Sequence, residues 1–174
     1  MKRKAQTERL WNMIERVSGK IRSFRANDIQ GILELEGDAF PKSAYPKEVL
    51  LNYAFRFPES FVVLEIEDGI GGYIIYDVDG HIHSMAVKSS HRRRGFGTRL
   101  FMQALEHVND ILWLEVRSKN HGAMKFYTKM GMHIVGKVAE YYEGDDALIM
   151  LSDLGNLRKR VSDAPRTARK NHQG

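Results

Sequence analysis

The stretch His81-Ile82-His83-Ser84-Met85-Ala86-Val87-Lys88-Ser89-Ser90-His91-Arg92-Arg93-Arg94-Gly95-Phe96-Gly97-Thr98-Arg99-Leu100 carries the most chemistry in the sequence. It reads as the end of a strand, a basic turn with two glycines, and the start of a helix. Exposed backbone N–H groups at a helix N-terminus bind anions, and the helix dipole adds to this. Gly95 and Gly97 let the backbone approach a phosphate closely. Arg92, Arg93 and Arg94 add positive charge, so a pyrophosphate fits here. No Gly-Lys-Ser/Thr follows, and Leu100 stands where the dinucleotide fingerprint needs its third glycine. ATP and NAD are therefore disfavoured.

His81 and His83 lie two apart and point to one face of their strand. A His-x-His pair can bind a metal, but no third ligand has clear spacing, and no metal site is expected. Cysteine is absent, which excludes disulfides, thiolate metal sites and a cysteine nucleophile. That fits a reducing cytoplasm, the expected location.

The elements that position these residues follow from periodicity. Leu10, Met13, Ile14 and Val17 predict a short amphipathic helix over about 5–17. Residues 21–25 read as a strand. Asn27 or Asp28 can cap the next helix, which places Ile29, Ile32, Leu33 and Phe40 on one side. Pro41 ends it, and Pro46 opens another helix to about Arg56. Strands are predicted at 61–66, 70–77 and 81–87, with Asp68-Gly69 and Asp79-Gly80 as turns. A helix over 95–108, a strand over 111–116, a helix from Asn120 to Met130 and strands at 133–138 and 147–151 complete the chain.

That order describes a mixed α/β domain. The 174 residues suffice for one domain with a sizeable core, and the composition is that of a globular protein. No apolar run is long enough to span a bilayer, and no signal-peptide segment follows the charged N-terminus, so no membrane partner is expected. The net charge of +5 belongs to the tail: from Leu157 onward six basic residues face one acid, while the preceding 156 residues hold 21 of each sign. The tail reads as a solvated end or as a weak electrostatic arm for ribosomal or other RNA. It lacks aromatic residues to stack on bases.

The pattern Arg92-x-x-Gly95-x-Gly97 after a strand resembles the coenzyme A pyrophosphate loop of the GNAT acetyltransferase superfamily. Residues 112–120, followed by Ala123, Phe126-Tyr127 and Gly131-Met132, look like a second conserved region of that superfamily. Tyr141-Tyr142-Glu143-Gly144-Asp145-Asp146-Ala147 is similar to a block of the protein N-terminal acetyltransferases, a group that includes archaeal enzymes and the bacterial ribosomal-protein alanine acetyltransferase. Phe40-Pro41-Lys42-Ser43-Ala44-Tyr45-Pro46 resembles their substrate-side loop.

The resemblance covers about residues 20–154, leaving residues 1–19 as an N-terminal extension and 155–174 as a basic tail. It implies the GNAT fold, a mixed and mostly antiparallel central sheet of about seven strands flanked by helices. It implies acetyl-CoA as cofactor and the α-amine of protein N-termini as acceptor. The backbone at Met85, Ala86 and Val87 would hold the pantetheine arm and acetyl carbonyl. Arg92, Arg93, Arg94, Gly95, Phe96, Gly97 and Thr98 would hold the pyrophosphate, and Asn120 would hydrogen-bond the cofactor arm. Tyr127 would stand near the sulfur and protonate the leaving thiolate. Tyr141 and Tyr142 would line the peptide approach, with Phe40, Pro41 and Tyr45 on the facing loop.

Acetyl transfer to an amine requires a proton acceptor, a stabilised carbonyl oxygen and a departing thiolate. Without cysteine, direct attack in a ternary complex is the natural route. Glu115, which shares a strand face with Ile111 and Trp113, is the first choice of base. Some family members hold histidine there and pair it with a tyrosine, at a position that here holds His81. The base is therefore Glu115, His81, or both through water. The competing readings are a GNAT enzyme acting on lysine or a small amine, and a non-catalytic CoA- or RNA-binding module.

Overall fold

The structure is a computed structural model that describes residues 18–108 and 111–153. The expected helix over 5–17 and the basic tail lie outside those residues. Two sheets carry the architecture. The first holds β1 (Lys20–Ser23), β2 (Phe61–Ile66), β3 (Gly69–Tyr76) and β4 (Ile82–Val87), in that spatial order and antiparallel throughout. The second holds β5 (Ile111–Arg117), β6 (His133–Tyr142) and β7 (Asp145–Asp153), in the order β5-β7-β6, also antiparallel. Four helices complete the described residues: α1 (Ile29–Ala39), α2 (Lys47–Arg56), α3 (Phe96–His107) and α4 (His121–Lys129).

The strands of β2 and β3 are apolar on both faces, as in Phe61-Val62-Val63-Leu64, because helices cover both sides. On one side Val62, Leu64, Ile74 and Tyr76 meet Leu100, Phe101, Ala104 and Leu105 of α3. On the other, Phe61, Val63, Tyr73 and Ile75 meet Ile32 and Leu35 of α1 and Leu50 of α2. The helical spacing of residues 100–108 thus faces the core, as the periodicity predicts.

The Tyr76 hydroxyl is buried in the first cluster with no hydrogen-bond partner. Burial pushes its pKa up to about 12. Tyr76→Phe removes an unmet donor and keeps the ring, so chemical denaturation should show a gain of about 1 kcal/mol. A loss of stability would mean that the hydroxyl has a partner.

The seven strands of the expected, mostly antiparallel sheet divide into a sheet of four and a sheet of three. Their junction is a single parallel bridge between His81 and Trp113, where the Trp113 N–H donates to the Gly80 carbonyl at 2.9 Å. No further ladder pair joins β4 to β5 among the described residues.

Asp28 precedes α1, but its side chain does not cap that helix. It accepts a bidentate pair from Arg22 at 2.7 and 2.8 Å and the Arg25 N–H at 2.7 Å. The stronger charge-assisted partner takes the carboxylate, and the Arg22 guanidinium holds its pKa below the usual carboxylate range. Pro46 is the residue before α2 and not its first, because its extended backbone (ψ 159°) brings the chain in from the loop.

Candidate active site

The site lies where the two sheets meet. β3 pairs with one edge of β4, with Gly72 opposite Val87, Tyr73 opposite Ala86 and Ile74 opposite Met85. The other edge of β4 has no strand partner beyond the His81–Trp113 bridge among the described residues. Backbone groups of the Met85–Val87 segment on that edge can therefore receive an extended ligand with amide groups, as an added strand would. Arg92 Nε donates to the Val87 carbonyl at 3.2 Å, which assigns that oxygen to the turn.

The basic turn is left-handed at two positions, Arg93 (φ 60°) and Gly95 (φ 91°). Gly95 is the residue before α3 and offers no side chain to cap it. The first-turn N–H groups at Phe96, Gly97 and Thr98 are then free of a side-chain cap, with the positive end of the helix dipole behind them. A Cβ at Gly97 would lie 3.3 Å from the Phe126 ring, so this glycine serves the approach of α4 as well as that of an anion. The Ser89 N–H donates to Asp38 Oδ2 at 2.7 Å and ties the turn to α1.

Asn120 Oδ1 accepts the Ala123 N–H at 3.0 Å and caps α4. Its amide nitrogen remains for a ligand. On the same helix Tyr127 is 8% exposed, packed beside Phe101 and Phe126. Burial, and then the neighbouring Tyr142, raise its pKa, so the phenol keeps its proton through the neutral range.

Glu115 and His81 come together, as the family resemblance implies. His81 Nε2 lies 2.7 Å from Glu115 Oε2, and each side chain is 19% exposed, sheltered yet reachable. The Trp113 ring stacks on the imidazole at 3.8 Å and 8°, which fixes its plane.

An aromatic wall borders this pair. Tyr45 meets Tyr53 at 5.7 Å between centroids, and Tyr141 meets Tyr142 edge-on at 5.0 Å. The Tyr142 hydroxyl donates to the Glu115 carbonyl at 3.4 Å, and the Arg117 guanidinium lies 4.2 Å over its ring. Burial and then Glu115 push the Tyr142 pKa up to about 12. Tyr141 is half exposed, with Glu115 and Tyr53 among the groups that raise its pKa. Phe40 packs under the loop beside the second core cluster, while Pro41 is exposed.

Sequence reasoning missed three residues here. Glu36 is 1% exposed and accepts the Tyr73 hydroxyl and, at 2.6 Å, the Tyr45 N–H. It anchors the loop that carries Tyr45 to β3, and its burial raises its pKa. The available signal was an acid at i+4 from Ile32, on the apolar face of α1. Asp77, on the turn after β3, reaches His83 Nε2 with Oδ2 at 3.0 Å. Tyr53, on α2, packs against both Tyr45 and His83.

The site combines a basic turn at a helix N-terminus, a strand edge without a partner strand among the described residues, a carboxylate–imidazole pair and a set of tyrosines. Known proteins resemble this chain in sequence and in fold. The family model described as Acetyltransferase (GNAT) family matches residues 29–132. An uncharacterized N-acetyltransferase of Methanocaldococcus jannaschii is 35% identical over 147 residues, 79% of this chain and 94% of that protein. An N-alpha-acetyltransferase of Sulfurisphaera tokodaii is 28% identical, over 78% of this chain and 93% of that one. Among solved structures, Ard1 from Thermoplasma volcanium superposes with a TM-score of 0.72 at 29% identity, over 79% of this chain and 98% of that one.

Proposed function

We propose that this chain, which belongs to the acetyltransferase (GNAT) family, transfers the acetyl group of acetyl-CoA to the α-amino group of protein N-termini. The observation that carries this reading is the His81–Glu115 pair with Tyr45, Tyr141 and Tyr142 around it. Relatives named N-alpha-acetyltransferases support it, at 26–28% identity.

The residues suit acetyl-CoA. The free edge of β4 at Met85 and Ala86 offers backbone groups for the pantetheine amides. The first turn of α3, with Arg92, Arg93 and Arg94 nearby, offers N–H groups and charge for the pyrophosphate. The Asn120 amide is placed for the arm. When bound, acetyl-CoA supplies the activated acetyl group.

The chain's own residues do the rest. Tyr45, Tyr141 and Tyr142 hold an extended peptide end. Glu115 and His81 accept the amine proton, directly or through water. Tyr127 carries a proton for the departing sulfur and stays neutral because it is buried. An α-amine has a pKa near 7.7–8.0 against about 10.4 for lysine, so this modest base suits the first better. In this reading residues 20–154 are the catalytic domain. The tail is separable: removing residues after Leu157 should leave turnover of short peptides nearly unchanged, and a large loss would refute the separation.

Mass spectrometry of a peptide panel with acetyl-CoA tests the proposal. Each peptide carries a free N-terminus and an internal lysine, and each has an N-blocked copy. Acetyl on the α-amine alone, absent from blocked copies, is the expected result. Acetyl on lysine in blocked copies would move the enzyme to the lysine class. Bound acetyl-CoA without any transfer would favour a non-catalytic module.

A further inference from the structure

We propose that Asp77, His81 and His83 form a binding site for a divalent transition-metal ion of the zinc type, and that its occupancy withdraws His81 from proton transfer. One donor atom from each residue lies within 4.8 Å of the other two. Asp77 Oδ2 and His83 Nε2 are 3.0 Å apart, close to the edge of about 3.3 Å expected between ligands at bond lengths of about 2.0–2.1 Å. Two imidazoles with one carboxylate suit zinc and its neighbours, whereas calcium and magnesium take oxygen donors.

The donors are held before any ion arrives. Asp77 divides its carboxylate: Oδ1 accepts the N–H groups of Asp79 and His81, both at 3.0 Å, and Oδ2 is left toward His83. The His83 ring is stacked on Phe57 at 5.0 Å and packed against Tyr53 at 5.3 Å. The His81 ring is stacked on Trp113, and the two imidazole centroids are 4.3 Å apart. Burial and the nearby His81 lower the pKa of His83, which favours the neutral ring that a metal needs. The sequence separation explains why the third ligand escaped notice: Asp77 lies before the turn, four residues ahead of the His-x-His pair.

Three protein ligands leave a coordination position open. The lone pair that would bind the ion at His81 is the one needed for a proton, so metal and proton compete for it. The inhibition arm rests on the proton role of His81; the binding arm does not depend on any acetyl transfer.

The test uses the full chain, stripped with a chelator and titrated with Zn²⁺ in competition with a chromophoric chelator. Wild type should bind one equivalent. Asp77→Asn keeps the Oδ1 acceptor for the turn, and His83→Phe keeps the ring packing. Each should weaken binding at least about tenfold. Co²⁺ should give a visible absorption band in wild type that both variants lose. Thermal melting and acetyl-CoA binding report whether the variants fold. Folded variants that bind Zn²⁺ as tightly as wild type, or a wild type that binds no better than His83→Phe, would overturn the site. With any acceptor that the enzyme turns over, saturating Zn²⁺ should lower the rate more than about tenfold, reversibly with chelator. A zinc-loaded enzyme at full rate would overturn the inhibitory half.

Discussion

Exchanging Glu115 for glutamine should lower kcat/KM for an N-terminal peptide acceptor about 10²–10³-fold, with acetyl-CoA affinity retained. Glutamine matches the carboxylate in shape and still hydrogen-bonds His81 Nε2, now 2.7 Å away. It cannot take up a proton. The loss should therefore fall on kcat, because the tyrosines proposed to hold the peptide are untouched. His81→Ala should cost a similar factor. The double variant should be little worse than the worse single one, since residues that act as a unit are not additive.

The pH dependence separates a base from an orienting group. The free α-amine has a pKa near 7.7–8.0. If Glu115 serves to remove the acceptor's proton, its absence matters less when solution has already removed it. The deficit of Glu115→Gln should shrink from about pH 7 to about pH 9. A variant within threefold of wild type at neutral pH would make Glu115 a brace for the imidazole, and leave His81 as the base.

How much of this was legible depends on distance along the chain. The basic turn is local: a strand end, three arginines and two glycines lie within one segment, so its geometry could be read in place. The facing of Glu115 followed from period two on β5, and the pairing with His81 came through the family resemblance. Glu36 was not legible, because its partners lie nine residues on at Tyr45 and thirty-seven on at Tyr73. Asp77 stood at the end of a predicted strand, and only the folded hairpin brings it against His83. The split between the sheets was also hidden. Alternation and β-propensity identify strands but say nothing of which edges stay unpaired, and the free edge of β4 is the feature that the cofactor reading most needs. The Asp28 cap failed for the same reason: its arginine partner stands on another element.

Gly80→Ala should be the most damaging small substitution in the chain, costing more than about 3 kcal/mol of stability and the activity with it. Gly80 has φ 80°, in the region that alanine adopts only under strain. A Cβ there would also fall inside the envelope of the Ile111 carbonyl oxygen. That neighbour is backbone, and it cannot rotate aside as a side chain would. Relief requires β5 to move away from the turn. The same turn supplies the Gly80 carbonyl that accepts from Trp113 N–H, and the next residue makes the bridge to Trp113.

Moving β5 therefore separates Glu115 from His81 and unstacks Trp113 from the imidazole. A thermal melt of Gly80→Ala should fall well below wild type. At a temperature where the variant is still folded, peptide turnover should drop further than acetyl-CoA binding, because the basic turn proposed for the pyrophosphate lies at the other end of β4. Equal losses in both would mean that the substitution unfolds the domain as a whole. Wild-type melting and turnover would mean that the sheets are not joined as tightly as the Gly80–Trp113 contact implies.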